Sequence, residues 1–517
     1  MEKVSAAFRV YGDNILECEH FIEWLNNEKL SRFKFIKEVG PLDRPIFIYK
    51  DLELKDTFYA FQLCPYFGGT GSEILWENNP LEDIFSEKID VIITKVNENY
   101  TETKPILAIE FCDALQAGNQ SWQRFRRAIN AAEARIPYLY IIPIIGWERD
   151  SAGLKLKNPR YQNAQVCIAH LTLSSRFGVP SIMVFTKTSW TEFAKEKGYT
   201  VPAEYELFEG YSQGIKLSCY LIRESFKKER KVKENVIVLL KELFKDMIIV
   251  SRTYSKFGNT YLPIHYNHIA LKPENLEKVT LVYAKAIESG QQVEGEYALH
   301  NINFKYFSKF GVPFYKDAQS KTCNLSFKKD VLSFFNWKKS VDKEYKIQYL
   351  RAWGVKVNEK LSSKQIDQVF EKNKEKLPLT YKEGKSEAFV VNNRRHLREI
   401  LSKAYPSLSA EFLDAIHSEK SIKTPMFVIP LYAYKPSGDS RPDRGLLPVL
   451  VSLFPNIAKK ENILVLIYSK YTPKNWKRLM KSGNNELWNV INKLAGFVLV
   501  DNTKDGLVLF EEAKNND

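Results

Sequence analysis

Cysteine is scarce, with six in 517 residues. Cys18, Cys64, Cys112, Cys167, Cys219 and Cys323 stand far apart and form no CxxC pair, which argues against a structural zinc and against a disulfide framework. Histidine is nearly as rare, at seven. His265 and His268 are three apart but lack the glutamate of an H-E-x-x-H zinc site. No G-x-S-x-G is present, so the nucleophile elbow of an α/β-hydrolase is missing. Apolar runs are short: 138–147 and 426–434 fall far below the roughly 18–20 residues of a spanning helix. Met1-Glu2-Lys3-Val4-Ser5 leads into mixed charged sequence without the apolar core of a secretory signal. The chain therefore reads as soluble and cytoplasmic, with no membrane partner. Nor is there a repeat of 20–50 residues, which argues against a solenoid or propeller.

Hydrophobic residues reach 44% and aromatics 13%, enough for real cores and too much for a disordered chain. At about 150 residues per domain the length corresponds to roughly three domains. Lys and Arg number 76 against 62 Asp and Glu, a formal charge of +14. Such a surplus in an ordered chain favours a polyanionic partner, nucleic acid first and an anionic membrane second. A lysine-rich surface with no partner is the competing reading.

Along the chain, residues 1–45 mix a helical stretch (18–30) with turn residues and read as an N-terminal extension. From 46 to 190 the pattern is rich in strands. The runs 90–96 and 105–111, apolar and β-branched, flank the turn-like Asn97-Glu98-Asn99-Tyr100 and predict a hairpin. A helix over 120–135 and a strand over 138–142 follow. The stretch 191–385 is basic and mostly helical. After 386 strands and helices alternate again, with buried strands expected at 427–431 and 463–468 and late strands at 497–500 and 507–510. The fold class is α/β: two α/β regions around a basic, more helical middle.

The chemistry concentrates between 68 and 140. Asp90 opens one predicted strand and Glu110 nearly ends the next, so a hairpin brings the two acids together at one end of the sheet. Two carboxylates so placed suit a hard divalent cation with room for water and a phosphate oxygen. Glu73 would enter from a preceding helix as a third acid. Ordinary strand-end acids facing solvent remain the alternative. Gly68-Gly69-Thr70-Gly71-Ser72 lacks the Lys-Ser/Thr ending of a P-loop.

An acid on a helix, Asp at the head of a strand and an acid near the end of its partner, then helix and strand, resembles the PD-(D/E)XK nuclease superfamily. The resemblance covers roughly residues 60–145. It implies a mixed-sheet, restriction-endonuclease-like core in 46–190 and hydrolysis of phosphodiesters by metal-activated water. Asp90 and Glu110 would hold Mg²⁺, with Mn²⁺ as a substitute, and Glu73 would support the metal or its water. Two departures stand out. Ile89 replaces the proline, and Cys112 occupies the lysine slot, where a thiol cannot supply a fixed positive charge. The helix that follows offers replacements, since Gln123 and Arg127 are four apart and share a face. Arg127 or Arg124 would serve as the transition-state cation, and Gln123 would hydrogen-bond a phosphate or water.

Contacts to double-stranded DNA are expected from Arg124 and Asn119, from Lys227, Lys228 and Arg230 in the basic run 227–233, and from Arg441 and Arg444. The last two flank a literal Pro-Asp, Pro442-Asp443. Asn119 is equally a helix cap, and the basic run equally a solvated helix face. With Lys470, Asp443 gives the C-terminal region, 386–517, a partial likeness to the same superfamily, although Tyr468 stands where its middle acid belongs. These features lead to the expectation of a Mg²⁺-dependent restriction or phage-defence endonuclease acting as a homodimer. The alternatives are an inactive nuclease-fold DNA-binding or regulatory subunit, and an RNA- or nucleotide-activated defence nuclease.

Overall fold

The computed structural model describes residues 3–65, 89–97, 105–112, 124–149, 156–162, 164–226, 233–256, 260–263, 268–301, 343, 347, 350, 355–373, 389–391, 394–404, 408–417, 424, 426–431, 441–456, 458–468, 486–501 and 507–509. It is a mixed α/β protein whose contacts divide it into two compact units, Met1–His300 and Asn301–Asp517.

The first unit runs β1 (Ala6–Gly12), α1 (Ile15–Asn26), α2 (Glu28–Ser31), β2 (Phe33–Val39), β3 (Ile46–Asp51), β4 (Phe58–Pro65), β5 (Val91–Val96), β6 (Leu107–Phe111) and α3 (Phe125–Glu133). It continues through β7 (Tyr138–Pro143), β8 (Ile145–Arg149), β9 (Leu156–Tyr161), α4 (Ala164–Phe177), β10 (Ser181–Thr186) and α5 (Ser189–Glu196). Then come α6 (Gly210–Phe226), α7 (Lys233–Ser251), a small hairpin of β11 (Thr253–Lys256) and β12 (Thr260–Pro263), and α8 (Leu276–Glu288).

Eight strands form one mixed sheet in the order β10-β7-β6-β5-β1-β4-β3-β2. The pair β5–β6 is antiparallel, as the two apolar runs and their turn predicted, while β6–β7 and β7–β10 are parallel. Every residue of β7 is buried, as suits a parallel strand inside a sheet covered on both faces. The edge strand β2 is largely exposed and breaks register between Phe35 and Lys37. Its Lys34, Lys37 and Glu38, together with that irregularity, discourage pairing with a foreign strand.

Residues 1–45 are part of this sheet rather than an extension to it. They contribute β1, which lies between β4 and β5, and most of the β2–β3 hairpin. Helix α1 begins at Asn14, whose side chain accepts the Glu17 N–H at 3.1 Å. It buries Cys18, Phe21, Ile22 and Leu25, the i, i+3, i+4, i+7 stripe of an amphipathic helix, against β1 and β4. At the other end of the sheet α4, α6 and α7 pack on β10. Gly210 is needed there, because a Cβ would meet the backbone of Phe185, its nitrogen at 2.9 Å. The boundary between units follows His300 and coincides with neither 190 nor 385.

The second unit holds a five-stranded sheet, β13 (Phe389–Val391), β14 (Met426–Leu431), β15 (Ile463–Tyr468), β16 (Phe497–Asp501) and β17 (Leu507–Leu509), in that order. The central three strands are parallel and the outer two antiparallel to them. Strands β14 to β17 match those expected after 386, and β13 is an addition to them. Among the described residues of both units no helix is long and apolar enough to cross a membrane.

Candidate functional site

The β5–β6 register pairs Val91 with Ile109 and Ile93 with Leu107. One step further along the same ladder, Asp90 stands opposite Glu110. The Phe111 N–H donates to Asp90 Oδ2 at 2.8 Å, and the Asp13 N–H at the end of β1 donates to the Asp90 carbonyl at 3.2 Å. The two acids foreseen from spacing are therefore neighbours at one end of the sheet. They do not face open solvent: Glu110 is fully buried and Asp90 is 9% exposed.

Burying two carboxylates side by side costs several kcal/mol unless cations accompany them, and the cations come from α3. Arg124 and Arg127, three residues apart at the start of that helix, reach the same acids. Arg124 Nη1 lies 2.7 Å from Glu110 Oε1 and 3.5 Å from Asp90 Oδ2, and donates to the Phe111 carbonyl at 2.5 Å. Arg127 Nη1 donates to Glu110 Oε1 and lies 3.6 Å from Asp90 Oδ1. A helix N-terminus disfavours cations, because its free N–H groups carry positive partial charge. Their place there is explained by the acids, not by the helix. Arg124 and Arg127, the two candidates for the cation of this site, thus both reach the acid cluster.

Burial and the Glu110 charge, with a smaller push from Glu17, raise the Asp90 carboxyl to about 8 against the opposing pull of Arg124 and Arg127. Burial alone would lower both guanidiniums, but Glu110 leads the carboxylates in raising them above their ordinary range.

Beneath the acids lie Tyr138 and Tyr140 of β7. Glu110 pairs with Tyr140 in the β6–β7 register, and Tyr138 precedes it on the same face. Both phenols are held well above their usual range by burial, with Glu110 adding to the effect on each. His170 of α4 lies almost parallel to Tyr138 with centroids 6.1 Å apart, and it meets Phe125 edge-on at 4.9 Å. Four buried atoms in this layer have no hydrogen-bond partner: Glu110 Oε2, Arg127 Nε, Tyr138 Oη and His170 Nε2.

Sequence reasoning missed Tyr138, Tyr140, Asp13 and Glu17. The tyrosines were visible as alternate residues of a strand, and only the β6–β7 register reveals that they sit under Glu110. Cys112, two residues after Glu110, is buried, and its N–H pairs with the Ile141 carbonyl. Glu73, Asn119, Gln123, Lys227, Lys228 and Arg230 lie outside the described residues, as does Lys470. Arg441 and Arg444 fall in the first turn of the helix Arg441–Leu453, their side chains outside the described set.

Among the described residues, no group of three or more His, Cys, Asp or Glu could hold a metal. The pair Asp90 and Glu110 nevertheless offers hard oxygen donors suited to Mg²⁺. One of them, Glu110 Oε2, is an orphaned buried acceptor that such an ion would satisfy. Comparison with family models, with curated proteins and with solved structures finds no match for this chain.

Proposed function

We propose that the chain is a divalent-metal-dependent DNA endonuclease of the restriction or phage-defence type, a cytoplasmic homodimer acting on duplex DNA. The observation that carries this reading is the cross-strand pair Asp90 and Glu110, joined by two guanidiniums at one end of a mixed sheet. Asp90 and Glu110 are the residues that would hold Mg²⁺ or Mn²⁺. When bound, such an ion polarises a phosphoryl oxygen and acidifies a water.

The chain's own residues supply the rest. Two backbone N–H groups hold Asp90, that of Asp13 at its carbonyl and that of Phe111 at its carboxylate. Arg124 and Arg127 provide the permanent cations that Cys112 cannot, and a guanidinium fork suits the spreading charge of a phosphoryl group in the transition state. Cutting both strands of a duplex takes two such sites, hence the homodimer.

A second reading has its own support. Both carboxylates already have guanidinium partners, which is what a nuclease fold turned DNA-binding or regulatory subunit would show. Plasmid DNA incubated with the protein and Mg²⁺ or Mn²⁺ separates the two. Cleavage that disappears in Asp90→Ala and Glu110→Ala is the expected result. Binding without cleavage under any divalent metal removes the endonuclease reading and leaves the second.

A further inference from the structure

We propose that Arg124 and Arg127 are exchangeable counter-ions of the acid pair, so that metal and nucleic-acid phosphate enter the site together and each strengthens the binding of the other. This rests on the metal-dependent reading of the same site and adds its regulation.

The geometry is specific. Two acids and two guanidiniums share one cluster. Glu110 Oε1 receives both Nη1 groups, while Asp90 Oδ1 and Oδ2 each have one guanidinium at 3.5–3.6 Å, near the limit of an ion pair. The acid pair is therefore tightly held at one oxygen and loosely held at Asp90. Glu110 Oε2 is left over, buried and without a hydrogen bond. A divalent ion at these oxygens meets two fixed positive charges within a few ångströms. Its binding is weak for as long as the guanidiniums stay.

Arg124 has somewhere to go. Its side chain is 35% exposed, against 18% for Arg127 and 0% for Glu110. Once a cation takes over the carboxylates, the guanidiniums lose their partners and require another anion. A phosphate diester, singly charged and forked like a carboxylate, meets that need. Metal bound to the acids and phosphate bound to the arginines then relieve each other's cost, which is a coupling free energy between two ligands. Without duplex, the acids keep their internal cations and the metal site stays closed.

Calorimetric titration of the full chain with Ca²⁺, with and without a short DNA duplex, tests this without any turnover. Wild type should bind Ca²⁺ about tenfold or more tightly when duplex is present. Arg124→Gln, the exposed member and the variant that best keeps the fold, should bind Ca²⁺ more tightly than wild type when no duplex is present. Its gain on adding duplex should shrink. Circular dichroism confirms that the variant is folded, and the wild-type titrations stand if it is not. An Arg124→Gln affinity no tighter than wild type, or a wild-type affinity indifferent to duplex, overturns the exchange and leaves the arginines as fixed structural partners. Asp90→Asn separates that failure from a deeper one. If, with duplex present, it binds Ca²⁺ as wild type does, or if wild type binds none there, the acid pair is no metal site, and the endonuclease reading falls with this one.

Discussion

Arg127 meets Glu110 end-on. Its Nη1 donates to Oε1, while its own Nε and the other oxygen, Oε2, are buried and unpartnered. A fork-to-fork pairing would satisfy both atoms. The geometry found here instead splits the attention of Glu110 Oε1 between two arginines and ties Glu110 to Asp90 through shared cations. The four residues form one electrostatic unit, and their substitutions are expected not to add.

Glu110→Gln leaves two guanidiniums with one carboxylate and should cost about 3–5 kcal/mol, the loss typical of breaking a buried ion pair. Arg127→Met should cost a comparable amount. The double variant should fall short of the sum by about 1 kcal/mol or more, because each single change strands what the other removes. Urea denaturation of the four proteins measures the cycle. Strict additivity would mean that the pair is not coupled.

A second buried pair fixes the base of the sheet. Arg223 of α6 donates from Nε to Asp51 Oδ2 at 2.9 Å and from Nη2 to the Ser31 carbonyl at 2.8 Å, with its guanidinium 4.5 Å from the Phe33 ring centroid. Asp51 Oδ1 meanwhile accepts the Glu53 and Leu54 N–H groups. Arg223→Ala should destabilise the protein by about 3–5 kcal/mol by leaving Asp51 buried without its cation. Arg223→Lys should recover only part of this, since a point charge cannot serve two acceptors and a ring face together. Thermal unfolding gives the order: wild type, Lys, Ala.

Acid should weaken the fold through His170. Burial lowers this imidazole to about 3, and its Nδ1 meets the Ser181 hydroxyl at 2.9 Å. Between that value and about 6.5, the ordinary imidazole pKa, the unfolded chain takes up a proton that the folded one refuses. Stability contributed by the neutral ring is therefore complete above about pH 6.5 and is lost as pH falls toward 3, at up to about 1.4 kcal/mol per unit. His268, lowered to about 4 by burial, acts in the same direction. His170→Gln should reduce the slope of stability against pH by about one proton across this window. An unchanged slope would show that His170 is protonated in the folded state.

Duplex binding by a chain of charge +14 should fall steeply with salt. For six or more phosphate contacts the loss is on the order of a thousandfold between about 50 and 200 mM. Fluorescence anisotropy with a labelled duplex reads it directly. A flat dependence would return the surplus to surface decoration.

The legible parts of this molecule were those whose partners are close in sequence. The β5–β6 hairpin could be read from two β-branched runs and a turn, and with it the approach of Asp90 to Glu110. The helix expected over 120–135 is described as Phe125–Glu133. The strands of the second unit were legible because continuous apolar runs mark buried parallel strands. By contrast β1, Ala-Ala-Phe-Arg-Val-Tyr-Gly, has a modest strand signature, and nothing local announces that it pairs with residues 59–65 and 91–96. The direct pairing of Arg124 with the acids was hidden for a related reason. Sequence shows a cation on a helix, but only the packing of that helix decides whether a neighbouring acid or a phosphate holds it.

The position of β1 has a consequence for assembly. The strands β2, β3 and β4 can zip as a local meander, and β5 with β6 as a local hairpin, but among the described strands of the sheet only β1 joins the two groups. Its pairings are non-local, with Ala6 beside Tyr59 and Ala7 beside Val96, and pairing over such separations slows folding. The Asp13 N–H that braces Asp90 comes at the end of that same strand. The brace on Asp90 therefore depends on β1 being in place between β4 and β5.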